Sequence, residues 1–178
     1  MKKVYDTINQ YCVEHELLTN GDGIVIGLSG GMDSVCLLQV LAALRNEWQL
    51  RLVCVHVHHG IRGTAADEDA AFAQRLAAKY NISFRLYEMD IPQLAKEQGL
   101  SEEEAGRNYR YRCFEEVRKE LNFDKIAVAH HRDDQAETVL WQILRGSGLR
   151  GVCGMRAGRA NIIRPLLCLD RQQIEQIV

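Results

Sequence analysis

The sequence predicts an α/β fold in which helices cover both faces of a parallel sheet. Short β-branched runs alternate along the chain with segments of helical periodicity, and this alternation is typical of strands joined by crossover helices. The predicted strands are almost continuously apolar, as expected for strands that are buried on both faces. A chain of 178 residues has the size of a single domain, so we expect residues 1–178 to form one unit.

The predicted elements follow one another in a regular order. The predicted strands are 24–28, 51–57, 82–89 and 125–130, and the predicted long helices are 35–45, 65–79, 102–120 and 135–145. Helix 102–120 begins with glutamates and carries arginine and lysine later, which matches the helix dipole. Asp170 is a good N-cap for a last helix. The chain stops at Val178 without a C-cap, so we expect a longer natural protein.

Composition and charge narrow the class of protein. Hydrophobic residues make up 47% and charged residues 26% of the chain, and no apolar run approaches the ~20 residues of a membrane span. The two lysines at the N-terminus are not followed by an apolar core, which argues against a secretory signal and for a soluble, cytoplasmic protein with no membrane partner.

A net charge of −2 leaves no broad basic field for nonspecific nucleic-acid binding. One local basic patch is visible, in a segment without acidic residues, and it contains Arg145, Arg150, Arg156, Arg159 and Arg164. Its charge is equally consistent with a solvated loop and with a nucleic-acid contact.

The cysteines are predicted to be reduced and buried. Six are present, and none forms a C-x-x-C pair. Most lie in apolar surroundings, where a cysteine behaves as a small hydrophobic residue rather than as a metal or redox ligand.

The loop "SGGMDS" is the first candidate site. It lies between a predicted strand and a predicted helix, at the sheet edge where parallel sheets bind ligands. Gly30 and Gly31 let the backbone approach a ligand closely, Ser29 and Ser34 offer hydroxyl groups, and the next helix presents unpaired N–H groups at its positive end. No lysine follows the glycines, so the loop is not a Walker A motif. Asp33 would repel a phosphate unless Mg²⁺ lay between them.

Two histidine clusters end other strands at the same edge. They are "VHVHHGIRG" after the second strand and "AHHRDDQAET" after the fourth. Asp134 and Glu137 are three positions apart at a helix start and share a face, and His130 lies just before them. A carboxylate in a first helical turn is commonly a cap, and a lone histidine is commonly structural. Their clustering opposite a phosphate-binding loop favours a functional site.

These motifs resemble those of a known family. "SGGMDS" is similar to the PP-loop of the N-type ATP pyrophosphatases, which cleave ATP between the α- and β-phosphates. Together with "HVHHGIR", "EEEAGRNYRY", "AHHRDDQAET", "RGSGLRGVCGM" and "IRPLL", in that order, it resembles the N-terminal domain of the tRNA(Ile)-lysidine synthetase family. The resemblance runs from about residue 23 to 170 and implies a Rossmann-like sheet of the adenine nucleotide alpha-hydrolase type. This sequence departs from the family pattern at Gly106, which makes a role for Arg107 less secure than one for Arg110.

The resemblance also implies a ligase reaction with two steps. In these, the C2 oxygen of the wobble cytidine attacks the α-phosphate of ATP, and the ε-amine of free L-lysine then displaces AMP. The cofactors would be ATP and Mg²⁺, and the RNA partner an isoleucine tRNA with a CAU anticodon; a homodimer is left open. The residues implied to hold the nucleotide are Ser29, Gly30, Gly31, Met32, Asp33 and Ser34.

The resemblance assigns the remaining roles more loosely. Asp33 would position Mg²⁺, and Arg110 would steady phosphate charge. His130, Asp134 and Glu137 are the candidates for binding the lysine amine and accepting its proton, and the two roles are not divided among them.

Three other functions fit some of the same residues. A dinuclear metal hydrolase would use the clustered histidines and aspartates but does not require a Ser-Gly-Gly loop. A noncatalytic nucleotide-binding module leaves His130, Asp134 and Glu137 without a role. Another PP-loop tRNA-modifying enzyme is the nearest alternative, although an iron–sulfur sulfurtransferase would require C-x-x-C pairs. GMP, NAD and asparagine synthetases share the phosphate loop but not the HHxDDQAET stretch.

Overall fold

Six strands form one sheet in a computed structural model that describes residues 2–58, 60, 64–146 and 154–178. The strands are β1 (Gly23–Gly27), β2 (Arg51–His58), β3 (Ser83–Glu88), β4 (Lys125–Ala127), β5 (Gly158–Arg159) and β6 (Ile162–Ile163). Their order across the sheet is β3-β2-β1-β4-β6-β5. Neighbours pair in parallel from β3 to β6, and β5 pairs antiparallel with β6.

Seven α-helices connect or flank the strands in the described residues. They are α1 (Lys2–Glu14), α2 (Met32–Leu44), α3 (Thr64–Lys79), α4 (Ile91–Gln98), α5 (Glu102–Glu120), α6 (Arg132–Leu144) and α7 (Arg171–Glu175), with a 3₁₀ turn at Pro165–Cys168. Side chains cap several starts: Asp90 accepts from the Gln93 N–H before α4, and Ser101 accepts from the Glu104 N–H before α5. These bonds satisfy N–H groups that a helix start leaves unpaired.

Alternate strand residues enter two apolar layers. Ile24 and Ile26 of β1 pack into a layer with α1, α2 and α3. Val25, between them, packs into a second layer with α4 and α5. Because successive side chains of a strand point to opposite faces, the central strands must be apolar throughout.

The direction of the connections reverses beside β1. The chain runs outward from β1 to β2 and β3, and β4 then pairs on the other side of β1. In doubly wound sheets, such a reversal opens a crevice at the carboxyl ends of the strands. Here it lies between the ends of β1 and β4.

The predicted fold class is confirmed, with differences at the sheet edges. The strand at the edge, β3, is mostly exposed, so the expectation of burial on both faces is wrong for it; Arg85 of β3 pairs instead with Glu120. The short strands β5 and β6 and the helix α1 are additional elements. No helix among the described residues combines the length and apolarity needed to cross a membrane.

Candidate active site

A cavity of about 410 Å³ lies at the carboxyl ends of β1, β2 and β4. This volume is within the range of small-molecule sites. Three groups of described residues line it. They are Gly27, Leu28, Ser29, Gly31, Asp33 and Ser34 around the end of β1; Val55, His56, Val57, His58, Ala66 and Asp69 from β2 and α3; and Arg107, Arg110, Tyr111, Phe114, Val128, Ala129 and His130 from α5 and the end of β4.

The loop after β1 is held by the hydroxyl group of Ser34. Ser34 Oγ donates to the Gly31 carbonyl at 2.7 Å and accepts from the Ser29 N–H at 3.2 Å. The two serine hydroxyls are also 3.1 Å apart. Gly30 has a φ of 91°, a conformation that favours glycine. These bonds fold the loop tightly against the start of α2.

The start of α2 is open to an anion. Its N-cap is Gly31, and no side chain caps it. The first N–H groups of a helix have no intrahelical partners and lie at the positive end of the dipole. The arrangement therefore suits a phosphate group that enters the cavity beside this loop.

Asp33 fits a magnesium ligand. It lies in the first turn of α2, and its Oδ1 atom is buried without a hydrogen-bond partner among the described residues. A buried carboxylate oxygen without a partner is costly, and oxygen donors of this kind are those that Mg²⁺ prefers. A cation bound by Asp33 and by a phosphate would satisfy this oxygen.

His131 connects Asp33 with Asp134. Its Nε2 atom lies 3.8 Å from Asp33 Oδ2 and 3.6 Å from Asp134 Oδ2. Its Nδ1 atom accepts from the Asp133 N–H at 3.2 Å. The side chain is buried, so the position of this ring is fixed by the packing around it.

Asp134 caps its own helix. Its Oδ2 atom accepts from the His131 N–H at 2.8 Å, as part of a capping box at the start of α6. Glu137, one turn later, is exposed and makes no hydrogen bond or ion pair with the described residues. Neither carboxylate is among the described residues that line the cavity. Asp134 is linked to the cavity residue Asp33 through His131, whereas no such contact links Glu137 to the described residues of the lining.

His130 faces the cavity and is held from behind by Arg164. The Arg164 Nε atom donates to His130 Nδ1 at 3.3 Å, and Arg164 Nη1 donates to the Arg156 carbonyl at 2.9 Å. Burial and the neighbouring Arg164 charge lower the pKa of His130 to about 4. The imidazole is therefore neutral at physiological pH.

One face of α5 supplies the cationic wall. Arg107, Arg110, Tyr111 and Phe114 all line the cavity, and their spacing of three, four and seven positions is that of one helical face. A Cβ atom on Gly27 would lie 2.7 Å from the Phe114 ring, so glycine at the end of β1 allows α5 to approach. Arg107 lines the site beside Arg110, although the departure from the family pattern at Gly106 makes a role for Arg107 less secure from the sequence alone.

His56 closes the cavity between β1 and β2. It is buried, and its Nδ1 atom lies 2.8 Å from the Leu28 carbonyl. A carbonyl can only accept, so Nδ1 carries the proton and Nε2 is an acceptor. Burial lowers the pKa of His56, which keeps this ring neutral.

The structure therefore brings together most of the predicted site residues. Ser29, Gly31, Asp33, Ser34, Arg110 and His130 line one cavity. Gly30 shapes the loop, whereas Met32 packs against the apolar core. The sequence does not predict four further residues of the site, which are His56, Asp69, His131 and Arg164. The two histidines lie inside the two histidine clusters, but no spacing rule selects one histidine over its neighbour.

The cysteines lie apart from this chemistry. Four of the five described free cysteines are buried, and Cys153 lies outside the described residues. Burial raises the pKa of Cys12, Cys36 and Cys54 to about 12. These thiols are poor nucleophiles at neutral pH.

Among the described residues, no group of three or more His, Cys, Asp and Glu side chains is arranged to hold a metal ion.

A family model described as the PP-loop domain matches residues 2–178. The chain belongs to the PP-loop domain family. It is 48% identical over 176 residues to the tRNA(Ile)-lysidine synthase of Caldanaerobacter subterraneus subsp. tengcongensis, covering 99% of this chain and 37% of that protein. It is 42% identical over 173 residues to the tRNA(Ile)-lysidine synthase of Clostridium tetani, covering 97% of this chain and 36% of that protein. The resemblance seen in the motifs is thus confirmed.

Solved structures show a similar fold. The U34-tRNA thiolase NcsA from Methanococcus maripaludis, solved with its [4Fe-4S] cluster, matches with a TM-score of 0.75 at 21% identity. The match covers 98% of this chain and 62% of that one. The NH3-dependent NAD synthetase of Campylobacter jejuni matches with a TM-score of 0.64 at 17% identity, covering 99% of this chain and 71% of that one. At these identities, the likeness concerns the fold alone.

The chain spans little more than a third of the length of the curated relatives that it matches.

Proposed function

We propose that this chain is the PP-loop catalytic domain of a tRNA(Ile)-lysidine synthetase, an ATP-dependent ligase that attaches lysine to the wobble cytidine of an isoleucine tRNA. The observation that carries the proposal is the single cavity that joins the Ser29–Ser34 loop to Arg107, Arg110 and His130. An anion-binding loop, two guanidinium groups and a neutral imidazole suit a reaction that releases pyrophosphate. Relatives named tRNA(Ile)-lysidine synthase are 36–48% identical across the chain.

The first step would be adenylation of the tRNA. The C2 oxygen of the cytidine attacks the α-phosphorus of ATP, and the bond to the β-phosphate oxygen breaks to release pyrophosphate. The open N-terminus of α2 and the Ser29 and Ser34 hydroxyls would bind the leaving phosphates, with Arg107 and Arg110 opposing their charge. Mg²⁺ held by Asp33 would supply further neutralisation of the leaving group.

The second step would be attack by lysine. The ε-amine forms a bond to C2 of the cytidine, and the C2–O bond to AMP breaks. The amine has a reference pKa of about 10.4 and must lose a proton before it attacks. Glu137 is exposed and without a partner among the described residues, so it is the more available carboxylate for the ammonium group. Asp134 would assist from its capping position.

The partners follow from this reaction. Free L-lysine and an isoleucine tRNA with a CAU anticodon would be the substrates, and a protein that uses them would act in the cytoplasm. Arg156, Arg159 and Arg164 belong to the predicted basic patch; Arg159 is exposed, whereas Arg164 is buried beside His130, and Arg150 lies outside the described residues. The homodimer stays a prediction.

The decisive experiment is tRNA-dependent incorporation of radiolabelled lysine by a full-length protein containing this domain. We expect incorporation that requires ATP and an isoleucine tRNA with a CAU anticodon, and that a tRNA with a changed wobble base does not support. Release of pyrophosphate without lysine incorporation, on any isoleucine tRNA, would overturn the proposal in favour of another PP-loop tRNA-modifying enzyme.

A further inference from the structure

The hydrogen bond behind His130 fixes which ring nitrogen carries the proton. A guanidinium group has only donors, so the 3.3 Å contact between Arg164 Nε and His130 Nδ1 requires Nδ1 to be the acceptor. A neutral imidazole whose Nδ1 accepts carries its proton on Nε2. Because His130 lines the cavity, the polar group that it can offer a ligand is an Nε2–H donor.

Arg164 is well placed to hold this state. The residue is 8% exposed, and its Nη1 atom donates to the Arg156 carbonyl at 2.9 Å. The backbone N–H of Arg164 also donates to the Ala157 carbonyl at 2.8 Å. The Nη1 bond anchors the guanidinium group, so it cannot turn away from the imidazole without losing that bond, and the backbone bond fixes the main chain that carries it.

The surroundings favour an anionic acceptor for this donor. His130 shares the cavity with Arg107 and Arg110 and with the loop residues Ser29 and Asp33. The positive charge of Arg164 on the far side of the ring polarises the Nε2–H bond toward the cavity. A phosphate oxygen would satisfy this donor better than an ammonium group, which has no acceptor.

We propose that Arg164 is a positioning residue that holds His130 as an Nε2–H donor, and that this donor binds a phosphate oxygen of the nucleotide. The assignment rests on the proposed function for the identity of the nucleotide. It separates His130 from Asp134 and Glu137: the imidazole would bind phosphate, and the carboxylates alone would handle the lysine amine and its proton. The low pKa of His130 agrees with this division, since a ring that stays neutral on acidification is a poor proton acceptor.

The first test is the protonation state of the ring, measured by ¹⁵N NMR of the histidine side chains of this chain at neutral pH. The spectrum of His130→Gln identifies the His130 signals. We expect a neutral ring with the proton on Nε2, and an added shift of that N–H when ATP and Mg²⁺ are titrated. A ring protonated on Nδ1, a charged imidazolium, or an Nε2–H that ATP leaves unchanged would overturn the proposal.

A pair of amide variants tests the same point through binding. The amide nitrogen of glutamine can reach the place of Nε2, whereas that of asparagine reaches only the place of Nδ1. We therefore expect His130→Asn to weaken ATP·Mg²⁺ binding by about tenfold or more, the usual effect of losing a hydrogen bond to a charged group. His130→Gln should stay closer to the unaltered chain. The exposed His15→Gln is the control and should change nothing. Equal affinities for the two His130 variants would contradict the assignment.

Arg164 is tested by its effect on the ring. In Arg164→Met the donor is lost, and we expect His130 to exchange between its two neutral forms; Arg164→Lys should restore the Nε2–H form in part. If Arg164→Met does not fold, the His130 pair and the NMR spectrum still decide. Lysine incorporation into tRNA is measured separately with a full-length protein containing this domain: its absence there, together with an ATP-dependent shift of His130, would refute the proposed function and leave this inference standing.

Discussion

The Asp33 side chain is expected to connect nucleotide binding with metal binding. Asp33→Asn keeps the size of the side chain but removes its charge, so the fold should persist while Mg²⁺ binding is lost. We expect adenylation to fall by about 100-fold, comparable to the loss of one strong transition-state interaction. ATP affinity should also stop depending on Mg²⁺. Near-normal turnover, or an unchanged Mg²⁺ dependence in calorimetric titration, would remove the metal role from Asp33.

Glu137 and Asp134 are expected to differ when each is replaced by its amide. Glu137 has no partner among the described residues, so Glu137→Gln should leave stability unchanged and lower lysine transfer by about tenfold or more. Asp134 accepts the His131 N–H, so Asp134→Asn should also cost about 1 kcal/mol of stability as a cap is weakened. The measurements are lysine transfer, ATP affinity and thermal unfolding. ATP affinity falling as far as lysine transfer in Glu137→Gln would place this carboxylate on the phosphate side.

His130 should make stability depend on pH in a defined window. Its pKa in the folded chain is lowered to about 4, mainly by burial and then by the charge of Arg164. Asp134 opposes this shift, and Arg107 and His131 add to it. Between the unfolded value of about 6.5 and about 4, the unfolded chain binds a proton that the folded chain does not. Stability should therefore fall as pH decreases through this window, by on the order of 3 kcal/mol. The free energy of unfolding of His130→Gln, measured with urea across this pH range, should lack this contribution. A pH profile identical to that of the unaltered chain would contradict the prediction.

Helix α5 places its arginines on different faces, which provides a matched comparison. Arg107 lines the cavity, whereas Arg112 of the same helix is 55% exposed and lies 3.9 Å from Glu116. We expect Arg107→Ala to weaken ATP binding by about tenfold, because a guanidinium group facing phosphate is removed. Arg112→Ala should have little effect, since exposed ion pairs contribute little. Equal losses in ATP titration would show a general electrostatic effect of α5 rather than a contact in the site.

For the molecule as a whole, we expect nucleotide binding without efficient tRNA modification. The cavity and its loop lie within these 178 residues, while the curated relatives are much longer. RNA affinity depends on many phosphate contacts, and a chain with a net charge of −2 offers few. The affinity for tRNA should also depend less steeply on salt than that of a longer protein. Full-rate lysine incorporation by this chain alone would show that further sequence is dispensable.

The layered fold and the sheet edge of the candidate site were both predictable from the sequence. Apolar runs such as 24–28 predict strands covered on both faces, because local composition reflects burial. The polar residues after those strands predict a site at the carboxyl edge, because parallel strands all end there. The motifs after β1 and β4 therefore predict Ser29, Asp33, Ser34 and His130 as site residues, and the structure shows that all four line one cavity.

The tertiary structure alone decided how these residues act on one another. The contact of Arg164 with His130 joins positions 34 residues apart, and no local pattern encodes such a distance. The same holds for His131, which lies between Asp33 and Asp134, and for the choice of Arg107 over Arg112 as the cavity side of α5. Protonation and hydrogen-bond direction depend on burial and on neighbours from other elements. Sequence periodicity cannot specify these, because they arise only when the sheet brings its strand ends together.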